Sequence, residues 1–166
     1  MNQNGHHSPS DHPPSVLIVD DEEMVITSLR AFFELETDFT LHGFTDAEEA
    51  ARFAEQNLVD VAISDYLMPK MNGIQLLARI KQAQPEASRV LLTGHADKQS
   101  AIQAINQVAL FQYLEKPWDN AQLLLVVRSG AERARLFREL REKIEELDGA
   151  NSRLKTAQRR AIEAFL

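Results

Sequence analysis

The stretch Val16-Leu17-Ile18-Val19-Asp20-Asp21-Glu22 decides the fold. Four apolar residues, three of them β-branched, make a run too short for a helix of its own. Such a run reads as a strand buried on both faces, the kind found inside a parallel sheet. Three carboxylates follow without a break. A buried strand that ends in concentrated negative charge points to chemistry at the C-terminal edge of the sheet, where open α/β sheets hold their sites.

Outward from this strand the pattern repeats. A helical spacing runs from Glu23 to Glu36, with Met24, Leu29, Phe32 and Phe33 among its apolar positions, and a weaker strand follows from Phe39 to Phe44. Thr45 or Asp46 can cap a helix over Ala47–Asn57, and Asp60–Ser64 is a third strand. Asn72-Gly73 leads into a helix through Gln84, which Pro85 stops; Arg89–Thr93 is a fourth strand. Lys98–Val108 reads as helix, Phe111–Glu115 as a fifth strand, and Asp119 as the cap of a long last helix. Five strands alternating with five helices predict an α/β fold, a doubly wound parallel sheet with helices on both faces. Residues 1–15 (MNQNGHHSPSDHPPS) are polar and rich in Pro, Ser and His, and are expected to form a disordered tail. His6, His7 and His12 read there as solvated side chains rather than a metal site.

Composition narrows the function. The 166 residues are 44% hydrophobic and include no cysteine, which excludes disulfides, thiolate metal sites and cysteine nucleophiles. No apolar run approaches the roughly 20 residues of a membrane span, and the N-terminus lacks the order of a signal peptide. The chain is therefore expected to be soluble and cytoplasmic. The net charge of −7 argues against a broad nucleic-acid surface. Residues 1–118 carry 8 basic and 17 acidic side chains, net −9, whereas residues 119–166 carry 10 and 8, net +2, so the two parts have different jobs.

The polar residues just after the strands form a set: Asp20, Asp21 and Glu22 after the first, Asp65 after the third, Thr93 after the fourth and Lys116 after the fifth. Each has an ordinary reading alone. Asp20-Asp21 can cap a helix, Asp65 can start a turn ahead of Pro69 and Asn72-Gly73, and Thr93-Gly94 and Lys116-Pro117 can be strand exits. Their joint placement at one sheet edge favours chemistry. Clustered carboxylates call for a cation, and a hard, oxygen-seeking ion such as Mg²⁺ suits them. A carboxylate can also attack phosphorus, and an ammonium and a hydroxyl stabilise the charge it acquires.

The stretches VLIVDDE (16–22), SDYLMPKMNG (64–73), LLTGHAD (91–97) and YLEKPWD (113–119) resemble the response-regulator receiver domain of two-component systems. The resemblance covers residues 16–118 and implies a five-stranded flavodoxin-like (CheY-like) sheet of order 2-1-3-4-5. It implies Asp65 as phosphoacceptor, with Thr93 and Lys116 binding the phosphoryl oxygens and Tyr113 as the switch aromatic. It implies Mg²⁺ held by Asp21 and Asp65, by Asp20 through water, and by the backbone carbonyl of Leu67. It implies a cis Lys116–Pro117 peptide and a sensor histidine kinase as partner. Leu67 and His95 would flank the path of an attacking water, with shielding by Leu67 expected to dominate.

The receiver is expected over 16–130 and a connector over 131–166. Phe137, Leu140, Ile144, Leu147, Asn151, Leu154, Gln158, Ala161 and Phe165 recur in steps of three and four, a heptad seam with Phe137 at position a. Asn151 at a and Lys143 (g) facing Asp148 (e) favour a parallel homodimer; a lone amphipathic helix is the alternative. The helix reaches Leu166 without a cap, so a truncated piece or a link to an output domain is expected. The KPWD ending resembles regulators with an HD-GYP phosphodiesterase domain, and cyclases, phosphatases and kinases use similar connectors. No direct nucleic-acid or membrane binding is expected of this segment. Two other functions compete. A phosphohydrolase of the haloacid dehalogenase type needs an acid/base two residues after its nucleophile, where this chain has Leu67. A dimerisation module with a vestigial site fits poorly with the complete set of Asp20, Asp21, Asp65, Thr93 and Lys116.

Overall fold

The computed structural model describes residues 12–165, apart from the side chains of Gln103 and Ala104. Residues 1–11, with His6 and His7, and Leu166 lie outside the described residues. The elements are β1 (Ser15–Val19), α1 (Glu23–Glu36), β2 (Thr40–Phe44), α2 (Ala47–Gln56), β3 (Val61–Asp65) and α3 (Gly73–Ala83). After these come β4 (Ser88–Thr93), a 3-10 turn (His95–Asp97), α4 (Lys98–Val108), β5 (Gln112–Glu115) and α5 (Asn120–Phe165). All pairings are parallel, in the order β2-β1-β3-β4-β5. This is the expected doubly wound sheet.

Alternation along each strand feeds two cores. Leu17, Val19, Ala62 and Leu91 face a layer made with α2, α3 and α4, including Ala50, Ala54, Leu77, Ile80 and Val108. Val16, Ile18, Ile63, Val90 and Leu92 face Ile26, Leu29 and Phe33 of α1 and Leu123 and Val127 of α5. The alanines of α2 let that helix lie close to the sheet. Its N-terminus is set by Asp46, whose carboxylate accepts from the N–H groups of Glu48 and Glu49 at 2.9 and 3.0 Å. Asn72 and Gln75 form a reciprocal capping box at the start of α3. The Asp119 carboxylate accepts from the Gln122 N–H at 2.9 Å at the start of α5.

Element boundaries differ from the sequence reading in small, explicable ways. β1 starts at Ser15, because the Asp60 carboxylate accepts the Ser15 N–H at 2.7 Å. β3 runs Val61–Asp65 rather than Asp60–Ser64, because the Tyr66 N–H donates to the Leu92 carbonyl at 2.9 Å and carries the ladder past Asp65. The turn His95–Asp97, which the sequence reading leaves out, closes with the Asp97 N–H on the Gly94 carbonyl at 3.2 Å.

The chain divides into two units, the first ending at Arg135 and the second starting at Leu136. Ala131 and Ala134 are buried in the first. The second is helical throughout its described residues, and its large apolar side chains are open, from 45% exposed at Phe137 to 92% at Phe165. Among the described residues, no helix is long and apolar enough to cross a membrane.

Candidate functional site

Four strand ends build the site. Asp20 leaves β1 with its own N–H on the Phe44 carbonyl at 3.2 Å. Its side chain is buried and accepts the Glu22 N–H at 2.9 Å, so one carboxylate oxygen is spent on holding the loop. Asp65 closes β3 and is also buried. Asp20, Asp21 and Asp65 each offer a carboxylate oxygen within 4.8 Å of the others, with Asp21 the exposed member.

The loop that starts at Asp65 is folded back hard. The Gly73 N–H donates to the Tyr66 carbonyl at 2.8 Å, and a Cβ on Gly73 would lie 2.1 Å from the Asp65 carbonyl oxygen. Only glycine fits there without moving the backbone of Asp65. Lys70 adopts a left-handed φ of 68° in this loop, and Leu67 is largely exposed.

Lys116 arrives from β5. Its N–H donates to the Thr93 carbonyl at 2.7 Å, and the Lys116–Pro117 peptide is cis. Its ammonium lies 3.1 Å from Asp65 Oδ1 and 3.3 Å from Asp20 Oδ2. The Thr93 hydroxyl is fully buried at the end of β4 and makes no hydrogen bond among the described residues. Such an orphan is costly unless a ligand satisfies it.

The electrostatics follow from burial and crowding. Burial is the main force pushing the Asp65 carboxyl above its usual range, and the neighbouring Asp20 adds to it. The Lys116 ammonium and the Tyr66 N–H pull it back. For Lys116, burial is the largest single influence and lowers its pKa, but the combined attraction of Asp65 and Asp20 prevails and holds the ammonium above its ordinary value. One ammonium faces three carboxylates, so the pocket is short of positive charge.

Residues 16–128 match the response regulator receiver domain. This chain belongs to that family. The receiver is 31% identical over 123 residues to the hydrogenase transcriptional regulatory protein HoxA of Cupriavidus necator, covering 74% of this chain and 25% of that protein. It is 34% identical to the response regulator Rre1 of Synechocystis, covering 70% of this chain and 51% of the relative. Among solved structures, the signal receiver domain of an HD domain-containing protein from Pseudomonas fluorescens is 37% identical with a TM-score of 0.70. That match covers 75% of this chain and 98% of the other. The chain thus spans about a quarter to a half of the curated regulators named.

Of the residues singled out in the sequence, Asp20, Asp65 and Lys116 are in mutual contact through the lysine, Asp21 joins the acidic cluster, and Thr93 lies beside Lys116 through the backbone. Tyr113 of the receiver is half-buried against the α2–α4 core and is paired in register with Leu91.

Two features were missed. Glu115 binds both His95 Nδ1 and, at 3.3 Å, Lys98 Nζ; His95 first and Lys98 second hold its carboxyl below the usual range. Arg89, 2% exposed inside β4, spends its guanidinium on four backbone carbonyls. A charged residue within an otherwise apolar strand was the available signal for Arg89. Strand alternation carries no comparable signal for Glu115.

Proposed function

We propose that this receiver accepts a phosphoryl group on Asp65 from a sensor histidine kinase, as the switching half of a two-component phosphorelay. The observation that supports it best is the Asp65–Lys116 contact of 3.1 Å at the sheet edge where the buried Thr93 hydroxyl has no partner. A carboxylate oxygen of Asp65 forms the new O–P bond as the N–P bond of the kinase phosphohistidine breaks; the electron pair returns to the imidazole, which takes a proton from solvent. Lys116 is already in place to pair with the added negative charge, and the Thr93 hydroxyl has a free proton to donate to a phosphoryl oxygen. Tyr113 reads out the displacement of Thr93.

The donor set fits Mg²⁺: hard carboxylate oxygens with too little positive charge around them. Asp21 and Asp65 would hold the ion directly, Asp20 through water, and the Leu67 carbonyl would complete the protein ligands. Bound there, Mg²⁺ supplies the charge that lets three carboxylates and a phosphoryl group share one pocket.

The reading is signalling rather than turnover of a metabolite, in the cytoplasm. The exposed apolar heptad residues within 137–165 favour a parallel homodimer. Likeness to the receiver of an HD domain-containing protein favours an HD-type output domain as the downstream partner.

The test is to incubate the chain with Mg²⁺ and acetyl phosphate and map the modified peptide. Native protein should carry the label at Asp65 and Asp65→Asn should not react. Label at another residue, or none with any acyl phosphate, rejects the proposal.

A further inference from the structure

α4 is held at its two ends by contacts of opposite character. At its C-terminal end, Arg89 Nε donates to the Val108 carbonyl at 2.9 Å and Nη2 to the Ala109 carbonyl at 3.2 Å. The same guanidinium donates through Nη1 to Pro85 and Ala87, at 3.2 and 2.8 Å. The Arg89 carbonyl in turn accepts the Phe111 N–H at 2.8 Å. The last carbonyls of a helix lack internal partners and carry the negative end of its dipole. A buried cation with a rigid fork of donors answers both needs.

At the N-terminal end, beside Thr93, the polar ties are at the surface, ahead of Ala101, which is buried in the core. Lys98, the first residue of α4, and His95, in the turn before it, both bind the Glu115 carboxylate of β5. His95 is 91% exposed and Lys98 40%. Exposed pairs of this kind contribute little and weaken with salt.

We propose that α4 is hinged at its C-terminal end by Arg89 and latched at its N-terminal end by Glu115, so that it opens from the Thr93 side only. Any displacement at the end of β4 is then converted into a swing of the segment 95–98 about a fixed point at 108–109. The hinge belongs to the resting molecule and stands whether or not Asp65 is phosphorylated.

Amide hydrogen exchange on the full chain tests this without phosphodonor. Cutting the latch with Glu115→Gln should speed exchange over residues 95–101 by about two- to fivefold, the scale of a surface pair, and leave 106–111 unchanged. Raising salt should do the same to the native chain and add little to the variant. Arg89→Lys, which keeps the charge but not the fork, should speed exchange at 106–111. If that variant does not fold, the Glu115 and salt measurements decide alone. Equal acceleration at both ends of α4 in Glu115→Gln, or no change at 95–101, overturns the proposal.

Discussion

Phe33 and Leu147 are both large apolar residues on helices, yet Phe33 is 0% exposed and Leu147 is 64% exposed. The first sits in α1 under the sheet, in a core drawn from residues as distant in sequence as Val16 and Ala131. The second belongs to a stretch with local ion pairs such as Lys143–Glu146 and Arg159–Glu163. Local pairs contribute only tenths of a kilocalorie each. Most helical stability in proteins comes from tertiary packing, so the receiver helices answer to the sheet, while the large apolar side chains of 136–165 stay exposed.

The sharpest way to break this comparison is to truncate one residue from each region. Phe33→Ala should cost the receiver about 3–5 kcal/mol in denaturant unfolding, since it empties a close-packed site. Leu147→Ala should change the same transition by less than about 0.5 kcal/mol, while weakening self-association in sedimentation at tens of micromolar. Equal losses of stability would erase the distinction.

A smaller effect sharpens the border. Chains ending at Arg135 and at Gly130 should both fold. The shorter one loses buried Ala131 and Ala134 and the Arg133 guanidinium 5.6 Å from the Phe111 ring centroid. Its stability should fall by roughly 1–3 kcal/mol. Identical unfolding midpoints would put the edge of the receiver at Gly130.

Smaller again is the effect on phosphoryl lifetime. Leu67 is exposed beside the site, and the His95 ring is committed to Glu115. Once donor is removed, Leu67→Asn should lose label several-fold faster than native protein, and His95→Ala should differ less. Equal or slower decay in Leu67→Asn refutes shielding by the leucine.

The smallest effect is a pH dependence inside the receiver. Burial first, and the Arg30 charge second, lower the pKa of His42 below 6.5. Its ring packs against Phe53, tilted by 39°, with centroids 4.5 Å apart. The fold prefers the neutral imidazole, so its penalty is complete below the folded pKa. Stability should then rise as pH climbs from that value through the unfolded one. Urea midpoints for the native chain and His42→Gln, compared between about pH 5 and pH 7.5, isolate the contribution. A parallel shift in both chains would remove His42 as its source.

Much of the receiver is legible in the sequence because its buried strands are short, mostly apolar runs and its candidate site residues sit at their C-terminal ends or just beyond. Asn72 and Asp119 stand where residue type puts helix starts, whereas only the structure chooses Asp46 over Thr45 as the cap of α2. The run 61–65 was harder, because Asp60 and Asp65 are both polar and only the ladder to Ser88 and Leu92 tells which of them lies inside the strand. Glu115 gave no sign of its partners, since the turn that brings His95 to it is a tertiary fact. The heptad pattern of 137–165 is legible in the sequence, but a pattern in one chain does not name the surface that covers it.

The Asp20–Lys116 ion pair joins residues 96 positions apart. A ribosome that has just made Asp20 needs roughly 5 to 20 s to reach Lys116 at ordinary rates. Throughout that interval the nascent chain carries its acidic residues without the ammonium that balances them. The site proposed for phosphoryl transfer is therefore incomplete on unfinished chains, and its ammonium arrives only when β5 has been made and docked beside β4.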